Sequence, residues 1–295
     1  MFNFNVGALR PAADAARAMH RLSASDLVQR TLFQDGLLPG LGAMDDGSTR
    51  PSRAPLQDRP VPHGAEFRHE THSCAAGTRS YRSYIPAAPN GTWAGVIVML
   101  HGCAQNPEDF AIGNGMNALA DTHGLILIYP EQSRGNNAQS CWNWFSRGDQ
   151  QRDKGEPAIL AGITRKVMAE HGIEPDQTFV VGLSAGAAMA VILGETYPDV
   201  FSAVGVHSGL AYGAANGVPS AFAAMAGNAL QEPGNAEPNR ATRTIVFHGT
   251  ADSIVYPSNG DQVAQQAVAR GPRQTVQADS RGVVSGCAYM SHPGR

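Results

Sequence analysis

The pentapeptide Gly182-Leu183-Ser184-Ala185-Gly186 constrains this chain more than any other segment. It follows the apolar run Thr178–Val181 and precedes the helix-forming run Ala187–Leu193, so it reads as strand, sharp turn and helix. In that context a G-x-S-x-G sequence holds its serine in a strained backbone conformation at the carboxyl end of a strand. The flanking glycines are required because side chains there would collide with the neighbouring strand and helix. Ser184 then stands at the positive end of the following helix, where a developing alkoxide or oxyanion is favoured. The plainer alternative is a glycine-rich strand-to-helix turn with an incidental serine, and the flanking strand and helix argue against it.

The same alternation runs along the chain from about residue 66. Apolar strands are predicted at Val96–Leu100, Leu125–Tyr129, Phe179–Val181, Ala203–Val206 and Thr244–Phe247, with helical stretches near 108–122, 156–170, 186–196 and 259–269. Continuously apolar strands are buried on both faces, and their alternation with helices predicts an α/β fold, a mostly parallel sheet covered on both sides. A further strand, Tyr81–Ile85, is expected to pair antiparallel with Val96–Leu100 through a turn at Pro89-Asn90-Gly91. Upstream, residues 1–35 carry two helical pieces, and residues 36–65 hold Pro39, Pro51, Pro55, Pro60 and Pro62 and read as a linker. The expected catalytic domain is therefore 66–295.

Composition excludes several function classes. With 42% hydrophobic residues in 295, the chain has enough apolar material for a large core and is not wholly disordered. A net charge of −3 offers no broad basic face for nucleic acid. No apolar run reaches the roughly 18–20 residues of a membrane helix. Residues 1–10 lack the basic start and apolar core of an export signal, so on its face the chain is cytosolic unless a signal lies outside this sequence. The cysteines Cys74, Cys103, Cys141 and Cys287 form no C-x-x-C pair. His63, His69, His72 and Cys74 straddle a linker end and a strand and are not read as a metal site.

A serine hydroxyl needs a base, and the base needs an orienting acid. Asp252, in His248-Gly249-Thr250-Ala251-Asp252, follows the strand Thr244–Phe247 at the same sheet edge as Ser184 and is the candidate acid; His248, close to the strand, reads as structural. The loop His101-Gly102-Cys103 follows Val96–Leu100, so the amides of Cys103 and Ala185 are the candidate oxyanion-hole donors. Trp142 and Trp144, in Cys141-Trp142-Asn143-Trp144-Phe145, are either exposed aromatics that hold an apolar substrate or a plug over the core.

Together, the stretches VMLHGCAQNPEDF, CWNWF, GDQQRDKGEPA, VVGLSAGAAMA, AVGVHSGLAYGAA and IVFHGTAD resemble the bacterial polyhydroxybutyrate depolymerase family of esterases, in the α/β-hydrolase superfamily. They span about 180 residues in family order. The resemblance implies hydrolysis of poly- or oligo(3-hydroxyalkanoate) or short acyl esters by Ser, Asp and His, with no metal and no cofactor. It assigns Ser184 as nucleophile, Asp252 as acid, Cys103 and Ala185 as oxyanion donors, and Trp142 and Trp144 as neighbours of the acyl site. It also implies that Cys103 and Cys141 are neighbours open to bridging, which would require an oxidising compartment.

The departure concerns the base. The family's Gly-His-Ala-Trp-type segment is absent, and His292 is the one histidine after Asp252. The expectation is a chain lacking the last strand, the histidine and the final helix, with an exposed sheet edge and little activity. Feruloyl or acetyl-xylan esterase activity on the same scaffold, and a remnant that only binds, are the competing readings.

Overall fold

The computed structural model describes residues 61–88, 91–229 and 242–270. The expected helical segment 1–35, most of the linker 36–65, Cys287 and His292 lie outside the described residues.

Seven strands form one sheet in the order β1-β2-β4-β3-β5-β6-β7. They are β1 (Glu66–Cys74), β2 (Gly77–Ile85), β3 (Gly95–Leu100), β4 (Leu125–Pro130), β5 (Thr178–Leu183), β6 (Ala203–His207) and β7 (Arg243–Phe247). β1 and β2 pair antiparallel, β2 and β4 pair antiparallel, and β4, β3, β5, β6 and β7 run parallel. Parallel neighbours need crossovers, and these are supplied by α1 (Pro107–Asn114) with α2 (Met116–His123), α3 (Gly155–His171), α4 (Ala185–Thr196) and α5 (Val218–Met225); α6 (Ser258–Arg270) follows β7. All parallel strands therefore present their carboxyl ends, and the loops that follow them, on one rim.

The expected hairpin between Tyr81–Ile85 and Val96–Leu100 is not formed. β4 lies between them, because β3 is apolar on both faces and takes a central position, whereas β2 alternates buried and part-exposed residues and suits a place nearer the margin. The chain crosses the end of β4 instead, where the Ala94 amide donates to the Gly124 carbonyl at 2.8 Å. The single helix expected over 108–122 is two, because Gly115 at φ +67° ends α1 and opens α2. The helix α5 was not legible in the sequence.

Two apolar layers enclose the sheet. On one side α3 and α4 pack Ile159, Leu160, Ile163, Ala187, Met189 and Leu193 against the strands. On the other, Phe110, Ala111 and Ala120 of α1 and α2 cover Met99, Leu127 and Tyr129. Ala185 to Gly194 of α4 are all buried, as a helix apolar all round must be. β7 stands at the margin of the sheet with Ile245 and Phe247 exposed.

Leu193, fully buried in this core, should lose about 2–5 kcal/mol of stability on truncation in Leu193→Ala. Denaturant titration checks this as a lowered midpoint with an unchanged slope. At the surface, Asp199 accepts from Arg152 Nη1 at 2.6 Å and Nη2 at 2.9 Å, and from Arg165 Nη2 at 3.1 Å. The Arg152 hydrogen bond, with both positive charges, pulls its pKa from 3.8 to about 2. The depressed value means that its stabilisation is complete above pH 3.8 and is lost as pH falls toward about 2. The half-exposed setting screens the effect. Stability measured from pH 2 to 5 should fall less steeply in Asp199→Asn than in the parent; equal slopes would remove the ion pair from the balance.

Candidate active site

Ser184 links the end of β5 to the start of α4 with φ +55° and ψ −118°. A non-glycine residue there is strained and persists because the surroundings fix it. The Ser184 amide donates to the His207 carbonyl at 2.9 Å, and its carbonyl accepts from the Ala188 amide at 3.0 Å. The flanking glycines are steric necessities. A Cβ on Gly182 would lie 2.2 Å from the Gly186 carbonyl carbon and oxygen, and one on Gly186 would lie 2.3 Å from the Leu100 carbonyl oxygen and 2.5 Å from that of His101. The β5–α4 turn thus touches, backbone to backbone, the loop that leaves β3.

That contact packs the turn that carries Ala185 against the start of the loop that carries Cys103. Ala185 is the first residue of α4, where an amide has no acceptor within the helix. Cys103 follows Gly102, whose own amide donates to Gln105 Oε1 at 2.8 Å, and Ala104 donates to the Gln139 carbonyl at 2.8 Å. A disulfide joins Cys103 to Cys141, with Cα atoms 4.3 Å apart. The pairing implied by the resemblance is therefore present.

Asp252 lies on the same rim. Its Oδ1 accepts from the amides of Ile254 and Val255, each at 3.0 Å. Burial acts to raise its pKa, but the Val255 and Ile254 amides, the Ser208 side chain and nearby His248 outweigh burial and hold the carboxyl below its ordinary range. Ser208, at φ +52°, also donates its amide to the Phe247 carbonyl at 2.9 Å. The dipeptide His207-Ser208 therefore ties the Ser184 turn to the end of β7, from which the Asp252 loop departs. Ser208 was not singled out in the sequence; the one available signal was its place at the end of a strand neighbouring the nucleophile turn.

His248 Nε2 donates to the Val255 carbonyl at 2.8 Å and stands 3.6 Å from Asp252 Oδ2. Its other nitrogen is buried, and a Cβ on Gly260 of α6 would come within 2.8 Å of it. His101 is also enclosed, donating from Nδ1 to the Gly102 carbonyl at 2.7 Å and accepting at Nε2 from the Gln132 amide at 3.1 Å. Burial lowers its pKa, opposed by the bond to Gly102. Neither imidazole has a free, accessible basic nitrogen to offer Ser184.

The aromatic loop takes the buried one of its two expected forms, so Trp142 and Trp144 are not exposed substrate contacts. Trp142 is fully buried and Trp144 is 6% exposed, both within the main core. Trp142 Nε1 donates to the His101 carbonyl at 3.0 Å, and Trp144 meets Phe145 edge to face. They are a plug that supports the oxyanion loop from beneath, not an exposed surface for substrate. Flat apolar rings with a single donor fit a buried role once that donor finds a carbonyl. Among the described residues no group of three or more His, Cys, Asp or Glu side chains is arranged to hold a metal, and no helix is long and apolar enough to cross a membrane.

A family model described as Esterase PHB depolymerase matches residues 79–271. The chain is 34% identical over 183 residues to poly(3-hydroxyalkanoate) depolymerase C of Paucimonas lemoignei, covering 59% of this chain and 44% of that protein. It is 30% identical over 191 residues to feruloyl esterase B of Neurospora crassa, covering 59% and 64%. The matched region thus spans about half the length of the depolymerase and under two thirds of the feruloyl esterase. Among solved structures, the acetyl xylan esterase from Aspergillus awamori superposes with a TM-score of 0.60 at 21% identity, over 69% of this chain and 79% of that one. That likeness, with the mostly parallel seven-stranded sheet, gives the fold as that of the α/β-hydrolase esterases. From the match over 79–271, this chain belongs to the PHB depolymerase family of esterases.

Proposed function

We propose that the chain is a serine-type carboxylic ester hydrolase acting on polyester or short acyl esters through an acyl-enzyme at Ser184. The observation that supports the reading is the strained Ser184 turn, which packs through Gly186 against the Leu100 and His101 carbonyls where the chain leaves β3 toward Cys103. Ser184 Oγ attacks the ester carbonyl, and its proton passes to a base. The Cys103 and Ala185 amides take the negative charge that develops on the carbonyl oxygen. Collapse releases the alcohol, and water then cleaves the acyl group from Ser184. In this reading Asp252 orients an imidazolium, and the Ile254 and Val255 amides that donate to it favour its ionised form. The base itself is not assigned to any described residue, since His101 and His248 are enclosed by their own contacts.

Hydroxyalkanoate esters are the first substrate class to test, because the depolymerase of Paucimonas lemoignei shares the higher identity of the two relatives compared. Feruloyl and acetyl-xylan esters are the second, supported by the feruloyl and acetylxylan esterase relatives. Pocket shape, and not the reacting groups, separates them. Turnover of a hydroxybutyrate oligomer should exceed that of methyl ferulate; the reverse order would move the chain to the second class.

Ser184→Ala should reduce p-nitrophenyl butyrate hydrolysis by roughly 10²-fold or more, leaving what the amides and binding alone supply. Equal rates for parent and variant would take the serine out of the reaction. Gly186→Ala should be inactive and less stable by about 1–3 kcal/mol or more, because its Cβ would meet two carbonyl oxygens within 2.5 Å. Activity and melting temperature measured together check both parts.

A further inference from the structure

Glu156 is 3% exposed and has no part in the reaction above. As the second residue of α3 it sits in the positive field of the helix start, and its own amide donates to Asp149 Oδ1 at 2.7 Å. Donors converge on its carboxylate. Oε1 accepts from Arg79 Nη2 at 3.1 Å, from Asn143 Nδ2 at 2.8 Å and from Gln132 Nε2, while Oε2 accepts the Asn143 amide at 2.8 Å. Burial and the nearby Asp149 carboxylate push its pKa up, against the Asn143 amide, Arg79 and Gln132. A carboxyl group facing only donors matches the acceptor-only, ionised form. A buried ion pair is weak evidence for stability in itself, so its connections matter more than its presence.

Those connections lead to the oxyanion loop by two routes. Gln132 donates its side-chain amide to Glu156 and to the Cys141 carbonyl at 2.9 Å, and its backbone amide to His101 Nε2 at 3.1 Å. His101 Nδ1 meets the Gly102 carbonyl at 2.7 Å. An amide can only donate and a carbonyl can only accept, so the two bonds together fix the neutral imidazole with its proton on Nδ1. In a trans peptide the C=O and N–H point in opposite directions, so a bond that holds the Gly102 carbonyl also aims the Cys103 amide. The second route runs from Glu156 through Asn143 and the Cys141–Trp142 segment to the Cys141–Cys103 disulfide.

We propose that Glu156 is a positioning residue for the oxyanion hole, acting through Gln132 and His101 to set the direction of the Cys103 amide. The assignment rests on the reading of Ser184 as nucleophile. Glu156 touches no substrate; it fixes the group that does, and the neutral tautomer of His101 is the link.

The test is the phosphonylation of Ser184 in the full chain by an alkyl fluorophosphonate, whose P=O oxygen takes the place of the ester oxyanion. The limiting rate kinact and the half-saturation constant KI are measured separately, with the melting temperature of each variant. Glu156→Gln should lower kinact roughly tenfold or more, part of the roughly 10²–10³-fold effect of removing an oxyanion donor altogether, while KI stays within about twofold. His101→Asn keeps an N–H toward the Gly102 carbonyl and should retain most of the rate. His101→Gln keeps an acceptor toward the Gln132 amide but loses the bond to Gly102, and should fall as Glu156→Gln does. This pair tests the last link of the route, the His101–Gly102 bond, even where Glu156→Gln does not fold. Rates within twofold of the parent in Glu156→Gln and His101→Gln, with only the melting temperature lowered, would overturn the proposal and leave Ser184 as nucleophile. Failure of the parent chain to label would overturn both.

Discussion

The contact on which the rest of this structure depends is between backbones, not side chains. Gly182 and Gly186 allow the β5–α4 turn to fold tightly on itself and against the Leu100 and His101 carbonyls. Any Cβ at either position would force the turn away from β3 by more than a neighbouring side chain could yield. With the contact in place, Ser184 is held at φ +55° at the start of a helix buried from Ala185 to Gly194. The parallel sheet supplies the second constraint. Because β3, β5, β6 and β7 run the same way, their carboxyl ends bring the Cys103 loop, Ser184, Ser208 and Asp252 to one rim.

What was legible in the sequence was what short-range physics encodes. The apolar runs of β3 to β7 and the periodic stretches of α3, α4 and α6 lie within a few residues of their expected bounds, because burial on both faces leaves a continuous apolar signature. The glycines around Ser184 were readable for the same reason, as a local steric demand. The partner of β2 was not. Pro89-Asn90-Gly91 is a sound turn signal, but the pairing is decided by burial: β3 is too apolar to lie near the margin, so β4 is inserted between the two. The division of α1 from α2 turned on a single left-handed glycine, Gly115, which the sequence does not distinguish from one tolerated inside a helix.

The site shows the same division. Ser184, Cys103, Ala185 and Asp252 were chosen as candidates from their position after strands, and the parallel strands put the loops that carry them on a common rim. Trp142 and Trp144 were left open between an exposed surface and a plug because an aromatic-rich loop reads alike whether it faces solvent or closes a core. The indole bond to the His101 carbonyl, which settles the matter, links residues 41 apart in sequence. Glu156, Gln132 and Ser208 went unnoticed because each draws its role from partners brought together only by the fold. A glutamate at a helix start is ordinarily a solvated capping residue, and nothing local to Gly155-Glu156-Pro157 distinguishes this one, which is enclosed by Arg79, Gln132 and Asn143.

The central claim is that the Ser184 hydroxyl and the amides of Cys103 and Ala185 enclose one oxygen-sized site. The most direct measurement is a crystal structure of the covalent phosphonate adduct. The account predicts the phosphonyl oxygen at about 2.7–3.1 Å from both amide nitrogens. A phosphonyl oxygen turned to solvent, or held by side chains alone with either amide facing away, would contradict it.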